Sequence, residues 1–352
     1  MARTATARRL ATGAAYGGGS VALGGAALVA LLREEARAAR RRVESRNVKA
    51  DPPSGDGLYG QPSRKSRGKP IVFAVLGDSS AVGLGVHRAA ETPGVLIAAG
   101  LAELAERPVR LVRAAVSGAE SRELPEQVDR ALAERPDVAL IMIGANDVTT
   151  LTKPAVSVRH LEDAVRRLME IGCEVVVGTC PDLGTIRPIG QPLRLLARRW
   201  SRQMAAAQTI AVVNAGGRTV SLGSVLGPAF ASDRSMFSVD EFHPSAVGYA
   251  QAAAVLLPSV ADAIGVWPAA ADRGVRPIRR GTVKPVAEAA VRAASRTGTE
   301  VQPAEVRGSD TGPWGPWALL RRRRRPEILT PEQAEESAGE SAGESAEAPV
   351  GG

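Results

Sequence analysis

The sequence is poor in residues that often build functional sites. Aromatic residues make up 3% of the 352 residues, so the core must consist of Ala, Val, Leu and Ile, and an aromatic-lined site is not expected. There are three histidines, His87, His160 and His243, and two cysteines, Cys173 and Cys180. Because these residues are scattered and form no ligand cluster, we expect neither a metal ion nor another cofactor.

The two cysteines stand at the ends of the segment CEVVVGTC. If this segment is a strand, seven steps of about 3.3 Å hold the two Cα atoms far beyond the limit of about 7 Å for a disulfide. We therefore expect two free thiols. This argues against a disulfide-stapled secreted domain and favours a reducing compartment.

Basic charge is concentrated at one end of the chain. The net charge is +8, but residues 1–69 carry 14 Lys and Arg against 5 Asp and Glu, whereas residues 70–263 carry 18 against 20. The central part is thus close to neutral, and it lacks a basic stripe interleaved with aromatic residues. Nucleic acid is therefore not an expected partner.

An uncharged run of 23 residues, Leu10 to Leu32, follows a basic N-terminus at residues 1–9. Its length suffices to span a bilayer, but its many glycines and alanines leave a cleavable signal peptide or a soluble helix as alternatives. We predict an uncleaved anchor at 10–32 and a single-pass protein of the cell membrane. More Lys and Arg follow the run than precede it, which favours a cytoplasmic catalytic domain, although the side stays open.

The rest of the chain divides by composition. Residues 33–69 read as a basic juxtamembrane helix and a linker, residues 70–267 as a folded domain, and residues 268–352, with five consecutive arginines and the repeat EESAGESAGESAE, as a disordered tail. Within the domain, short β-branched runs alternate with helical patterns. The predicted strands are 71–76, 109–116, 138–144, 174–179 and 210–214, and the predicted helices are 90–106, 121–134, 156–171, 191–208 and 245–263.

This alternation predicts a three-layer αβα sandwich of the flavodoxin-like type, with about five parallel strands and helices on both faces. The segment between Asn214 and Phe237 has weak periodicity and many small residues. It could be a mobile cover over a site or a long surface connection.

In an open parallel sheet, reactive groups are expected in loops at the carboxyl ends of the strands. Ser79 follows the first predicted strand in GDSS, Gly118 the second, and Asn146 the third in GAND, while Asp240 and His243 precede the last helix in DEFH. Each has a structural alternative, because serine and asparagine cap helices and glycine forms turns. Because all four loops are predicted at the same edge of the sheet, we favour a catalytic site over four unrelated caps and turns.

Activation of a serine requires a base that is itself oriented by a third group. His87 and His160 fall in helical, surface-like patterns, so His243 is the best candidate base and Asp240 its partner. Asp147 is interpreted as an acid that holds its loop in place.

The four blocks GDSS, Gly118, GAND and DEFH resemble those of the SGNH hydrolases, the GDSL-like lipase and esterase family. The resemblance implies that Ser79 is the nucleophile, that Asp240 and His243 complete the triad, and that Ser79, Gly118 and Asn146 form the oxyanion hole. It covers about residues 70–263. Ser80 replaces the leucine of the GDSL signature.

The resemblance implies a serine hydrolase that cleaves small-molecule or lipid acyl esters. An acyltransferase or a deacetylase of cell-envelope sugars would use the same residues, and a catalytically idle membrane-bound scaffold is a further alternative. We expect contact with the membrane through the N-terminal segment, and the sequence indicates no specific protein partner.

Overall fold

The computed structural model describes residues 54–60 and 69–266 without a gap. It also describes Pro52, six positions between 34 and 45, and the pairs 284–285, 300–301 and 306–307. The predicted N-terminus at 1–9 and anchor at 10–32 lie outside the described residues, as do most of the linker and of the C-terminal tail.

The main sheet contains seven strands in the described residues, of which the central five are parallel. In chain order the strands of the structure are β1 (Gly57–Tyr59), β2 (Ile71–Gly77), β3 (Val109–Arg113), β4 (Val138–Met142), β5 (Glu174–Gly178), β6 (Arg218–Val220), β7 (Lys284–Pro285), β8 (Glu300–Val301) and β9 (Val306–Arg307). The parallel order β3-β2-β4-β5-β6 is the flavodoxin-like order, so the predicted fold class is confirmed.

Short antiparallel strands cover both edges of the parallel sheet: β1 pairs with β3, and β8 pairs with β6. The remaining pair, β7 and β9, forms a separate two-stranded sheet. β7, β8 and β9 come from the segment predicted as a disordered tail, so the structure describes three short strands within that segment.

Helices follow the parallel strands on both faces. They are α1 (Ser79–Val82), α2 (Pro93–Ala105), α3 (Leu124–Ala133), α4 (Ala145–Thr149), α5 (Pro154–Glu170), α6 (Leu193–Asn214), α7 (Leu222–Ser232) and α8 (Ala246–Ala263). Successive residues of β2 point to opposite faces, as a pleated strand requires. Phe73 packs with Leu101 of α2 and Leu256 of α8, whereas Leu76 packs with Leu124 of α3 and Leu161 of α5.

The fifth predicted strand, 210–214, is wrong, because these residues form the last turns of α6 and the fifth parallel strand is β6. The run IAVVN has β-branched residues, but it continues the helix-favouring segment MAAAQT without a breaker. Met204, Gln208 and Val212 lie buried at helical spacing, so packing overrides the strand preference of this run. The helix ends before Gly216 and Gly217, and these glycines allow the turn into β6.

The structure gives the segment 214–237 its own elements. It contains β6, α7 and a 3₁₀ turn at Arg234–Met236, so it is not a simple surface connection. Among the described residues one helix, α8, is long and apolar enough to cross a membrane by length and composition. Half of it is buried inside the domain, where it packs against α2 and the sheet.

Candidate active site

Ser79 lies at the carboxyl end of β2, on the tight turn into α1. Asp78, not Ser79, is the N-cap of this helix, and its side chain accepts a hydrogen bond from the Ser80 N–H at 2.9 Å. Gly77 makes the turn possible, since its φ is 133° and a Cβ there would lie 1.8 Å from the Met142 carbonyl oxygen. The hydroxyl of Ser79 is thus released from capping and points to His243.

Three buried side chains are joined in one hydrogen-bonded chain. Ser79 Oγ lies 3.0 Å from His243 Nε2, and His243 Nδ1 lies 2.6 Å from Asp240 Oδ2. The exposed fractions of Ser79, His243 and Asp240 are 8%, 6% and 1%. A hydroxyl bonded to an imidazole that is itself bonded to a carboxylate is the arrangement that activates serine for nucleophilic attack.

The Asp240 carboxylate is fixed by donors on both oxygens. Oδ1 accepts from the backbone N–H groups of His243 and Phe242 and from the Ser238 hydroxyl. Burial raises the pKa of Asp240, but the hydrogen bond and charge of His243 and these backbone donors outweigh it and lower the pKa from 3.8 to about 2. Asp240 is therefore ionised at every pH at which a histidine base works.

The other two histidines do not reach this site. His87 is exposed in the loop after α1, and His160 is half-buried on α5. Their surface-like positions agree with the sequence analysis. Gly85, in the loop after α1, lies so close to the site that a Cβ there would be 2.6 Å from the Pro244 carbonyl oxygen and 3.1 Å from His243 Cβ.

The two candidate oxyanion residues besides Ser79 lie on loops that touch each other. Gly118 is exposed, with a φ of 80°, in the loop after β3. Asn146 lies in the first turn of α4, and its side-chain Nδ2 donates to the carbonyl oxygen of Ala119 at 2.9 Å. This bond uses one amide proton of Asn146 and leaves the second for a ligand.

The buried side chain of Asp147 joins these two loops by hydrogen bonds. Its carboxylate accepts from the Ser121 N–H and hydroxyl and from the Ser157 hydroxyl, the last at 2.6 Å. It is 1% exposed. The structure thus supports the interpretation of Asp147 as an acid that positions its loop.

Two buried glutamines clamp the backbone on either side of the site, and the sequence analysis missed both. Gln127 of α3 bonds both the N–H and the carbonyl of Gly77, at 2.7 and 3.0 Å. Gln208 of α6 accepts from the Cys180 N–H at 2.7 Å and donates to the Ile143 carbonyl at 2.8 Å. The sequence held one signal that could have found them: each glutamine occupies a core position in the apolar stripe of its helix. A buried amide needs hydrogen-bond partners, so a glutamine at such a position indicates a contact with the backbone or with another polar group.

An apolar cavity of about 100 Å³ opens beside His243. Its walls come from the ends of β4 and β5, the loop after β5, and helices α7 and α8. Among its lining residues are Met142, Ile186, Leu222, Leu226, Phe230 and Phe242. Three of the four phenylalanines of the chain line it, so an aromatic-lined site, which the composition argued against, is present here.

Asp78 lies at the floor of this cavity and is 2% exposed. Burial raises its pKa from 3.8 to about 6, and the charge of Asp147 adds to this, against the opposing effects of the Ser80 hydrogen bonds and of His243.

Both cysteines are buried and free, as expected from the sequence. No group of His, Cys, Asp or Glu within the described part of the chain has the arrangement of a metal site.

Comparison with known proteins agrees with this geometry. Residues 75–251 match the GDSL-like Lipase/Acylhydrolase family. A relative in Mycobacterium tuberculosis, described as GDSL-like esterase Rv1075c, is 47% identical over 222 residues, which is 60% of this chain and 71% of the relative.

Two solved structures are similar at lower identity. The crystal structure of TesA is 20% identical with a TM-score of 0.43 and covers 56% of this chain and 99% of its own. A lipase/acylhydrolase from Enterococcus faecalis is 19% identical with a TM-score of 0.43 and covers 54% and 95%.

The match to the family includes the turn of Ser79, the loops of Gly118 and Asn146, and the turn of Asp240 and His243. The identity to the mycobacterial esterase extends over most of that relative's length. The chain is therefore an esterase/lipase-type hydrolase and belongs to the GDSL-like lipase/acylhydrolase family.

Proposed function

We propose that this protein cleaves carboxylic esters through an acyl-enzyme formed on Ser79. The observation that carries the proposal is the buried chain from Ser79 Oγ to His243 Nε2 at 3.0 Å and from His243 Nδ1 to Asp240 at 2.6 Å. An ionised carboxylate behind the imidazole fixes its tautomer and stabilises the imidazolium that forms when the serine proton is transferred.

The reaction has two halves. His243 Nε2 accepts the proton of Ser79 while Oγ bonds to the ester carbonyl carbon; the carbonyl oxygen takes the negative charge. When the tetrahedral intermediate collapses, the bond to the alcohol breaks and His243 returns the proton to the leaving alcohol. Water then attacks the acyl-enzyme with His243 as base, which releases the carboxylic acid and restores Ser79.

The negative charge of the intermediate needs donors aimed at it. We assign this role to the N–H groups of Ser79 and Gly118 and to Asn146 Nδ2. In support, the Asn146 amide has a proton beyond its bond to Ala119, and Asp147 holds both loops through buried bonds. The exposed position of Gly118 leaves its face of the site open to a substrate.

The apolar cavity suits the acyl group rather than a polar alcohol. Its lining is dominated by carbon atoms of aliphatic and phenyl side chains, and burial of a hydrocarbon chain there is favourable by about 0.8 kcal/mol per methylene. Its volume of about 100 Å³ suits a short acyl chain. We therefore propose short-chain acyl esters as the substrate class.

The test compares two neighbouring serines. Ser79→Ala should abolish hydrolysis of p-nitrophenyl esters and covalent labelling by a fluorophosphonate, whereas Ser80→Ala should keep both. Equal hydrolysis by the parent and by Ser79→Ala would overturn the assignment. Addition of an alcohol acceptor during turnover, with product analysis by mass spectrometry, distinguishes a hydrolase from an acyltransferase, which would form the new ester instead of free acid.

We also propose that residues 10–32 attach the protein to the cell membrane. In support, this run holds no charge over 23 residues and is followed by a basic segment, Arg33 to Lys49. The full chain should remain with the membrane fraction after a carbonate wash. Release of the full chain by that wash would contradict the anchor.

A further inference from the structure

Helix α6 extends far beyond the carboxyl edge of the sheet. Gln208 bonds the backbone of Ile143 and Cys180, immediately after the ends of β4 and β5, so this residue marks the level of the edge. The helix begins at Leu193 and runs toward the opposite edge, where β6 starts. At 1.5 Å per residue, the 15 residues before Gln208 form a helical segment of about 22 Å, which is the upper limit of its extension beyond the edge.

The N-terminal part of the chain meets this helix at its tip. The carboxylate of Glu35 accepts a hydrogen bond from the Leu193 N–H at 3.2 Å. Glu35 is three residues after the end of the uncharged run at Leu32. The chain therefore reaches the tip of α6 only three residues after the uncharged run ends, on the same side of the domain as the active site.

The projecting half of α6 and the loop before it are strongly basic. Residues 183–202 contain five arginines and no aspartate or glutamate. The nearby carboxylate of Asp182 pairs with Arg198 and Arg202, both at 3.5 Å. The other three arginines, at positions 187, 194 and 199, add positive charge to this side.

Large apolar side chains are exposed on the same side. Leu195, in the first turn of α6, is 61% exposed. Val239, next to Asp240, is 72% exposed, and Leu151, in the loop after α4, is 63% exposed. Arginines beside exposed aliphatic residues favour a surface that lies in the headgroup region of an anionic bilayer, and here Leu195 on the helix and Val239 and Leu151 in the loops supply the aliphatic part.

We propose that the carboxyl edge of the sheet faces the membrane, with the projecting half of α6 lying on anionic headgroups. The active site then opens toward the bilayer surface, where acyl esters that partition into lipid are concentrated. The proposal rests on the anchoring of residues 10–32. It does not depend on the catalytic roles of Ser79 and His243, because its test measures position and not turnover.

The experiment compares two exposed aliphatic positions at opposite edges of the sheet. Leu195→Cys lies at the tip of α6, and Ile171→Cys lies between α5 and β5, at the amino edge, where Ile171 is 49% exposed. The full chain is labelled with an environment-sensitive fluorophore and reconstituted in phosphatidylglycerol vesicles that contain a headgroup-region spin label. The native Cys173 and Cys180 are each 1% exposed, and the unsubstituted chain controls for their labelling.

The spin label should quench the probe at position 195 about twofold or more and leave the probe at position 171 nearly unchanged. Arg199→Glu should reduce the quenching at 195, while Arg135→Glu, a reversal at an exposed arginine before β4, should not. Equal quenching at both positions, or none at 195, would overturn the proposal. A probe at 195 that is shielded without lipid and is not quenched with it would indicate a second copy of the chain on this surface, and would also overturn it.

Discussion

On one side of Ser79 lie Gly118, Asn146 and Asp147, where the loops are held by hydrogen bonds of 2.6 to 3.1 Å between buried or half-buried polar groups. On the other side lies the cavity walled by α7 and α8, where carbon atoms meet an open space of about 100 Å³. On the first side, the hydrogen-bonded side, the loops have little freedom to move, because each hydrogen bond fixes the direction between its donor and its acceptor. The second, the cavity side, discriminates by the size and the apolar character of the group that it receives. We expect variants of the first to change the rate for every ester, and variants of the second to change the preference among esters.

Asn146→Ala gives the largest expected effect. Loss of one oxyanion donor costs about 100-fold to 1000-fold in kcat, because the donor acts on charge that exists only in the transition state. The loss should be the same for acetate and hexanoate esters, as measured by steady-state kinetics on both. Should KM rise instead with kcat unchanged, Asn146 binds the substrate and does not stabilise the oxyanion.

Asp78 lies where the two sides meet, and its expected effect is on stability. Its pKa is raised to about 6, so between about pH 4 and pH 6 the native protein keeps a proton that the unfolded chain has lost, and stability falls as the pH rises. Asp78→Asn keeps the cap oxygen and removes the buried charge. The shift of about two pKa units corresponds to about 3 kcal/mol, so the variant should be more stable than the parent at pH 8 by up to this amount and equal to it below pH 4.

Urea unfolding at pH 4 and pH 8 measures the difference in stability between Asp78→Asn and the parent. Asp240 does not contribute to this difference, because its low pKa is the same in the variant and in the parent. Asp233 is a matched control, since it also caps a turn through a bond to the Ser235 N–H, but it is exposed. The side-chain and backbone bonds of Ser235 lower the pKa of Asp233. Asp233→Asn should therefore not stabilise the protein at pH 8, and a gain equal to that of Asp78→Asn would contradict the burial argument.

The difference between the two sides also explains what the sequence predicted. GDSS, GAND and DEFH could be assigned to one edge because parallel strands place their carboxyl ends together, whatever the details of packing. Gln127 and Gln208 were missed because their role depends on which backbone groups lie opposite them, and this is a tertiary property. The cavity side was predicted only in outline: the segment between Asn214 and Phe237 was expected either to cover the site or to connect elements at the surface. In LGSVLGPAF neither period dominates, and only the packing of α7 against α8 turns Leu226 and Phe230 inward.

Leu226 gives the smallest effect and the clearest contrast with Asn146. It lines the cavity from α7 and is half-buried, so its side chain can change size with little strain. Leu226→Ala should widen the cavity and raise kcat/KM for hexanoate relative to acetate, and Leu226→Trp should narrow it and lower that ratio. A buried methylene is worth about 0.8 kcal/mol, which predicts a change of about fourfold for each methylene of the acyl chain that is gained or lost in the cavity.

Leu195→Ala is the control for this pair, because Leu195 is an exposed leucine outside the cavity lining, and it should leave the ratio unchanged. The acetate rate should vary little among the three variants, because the short acyl group does not reach the α7 wall. A shift of the ratio in the same direction for Leu226→Ala and Leu226→Trp would mean that the cavity does not receive the acyl chain. In that case the two sides of Ser79 would differ in construction but not in the selection of substrates.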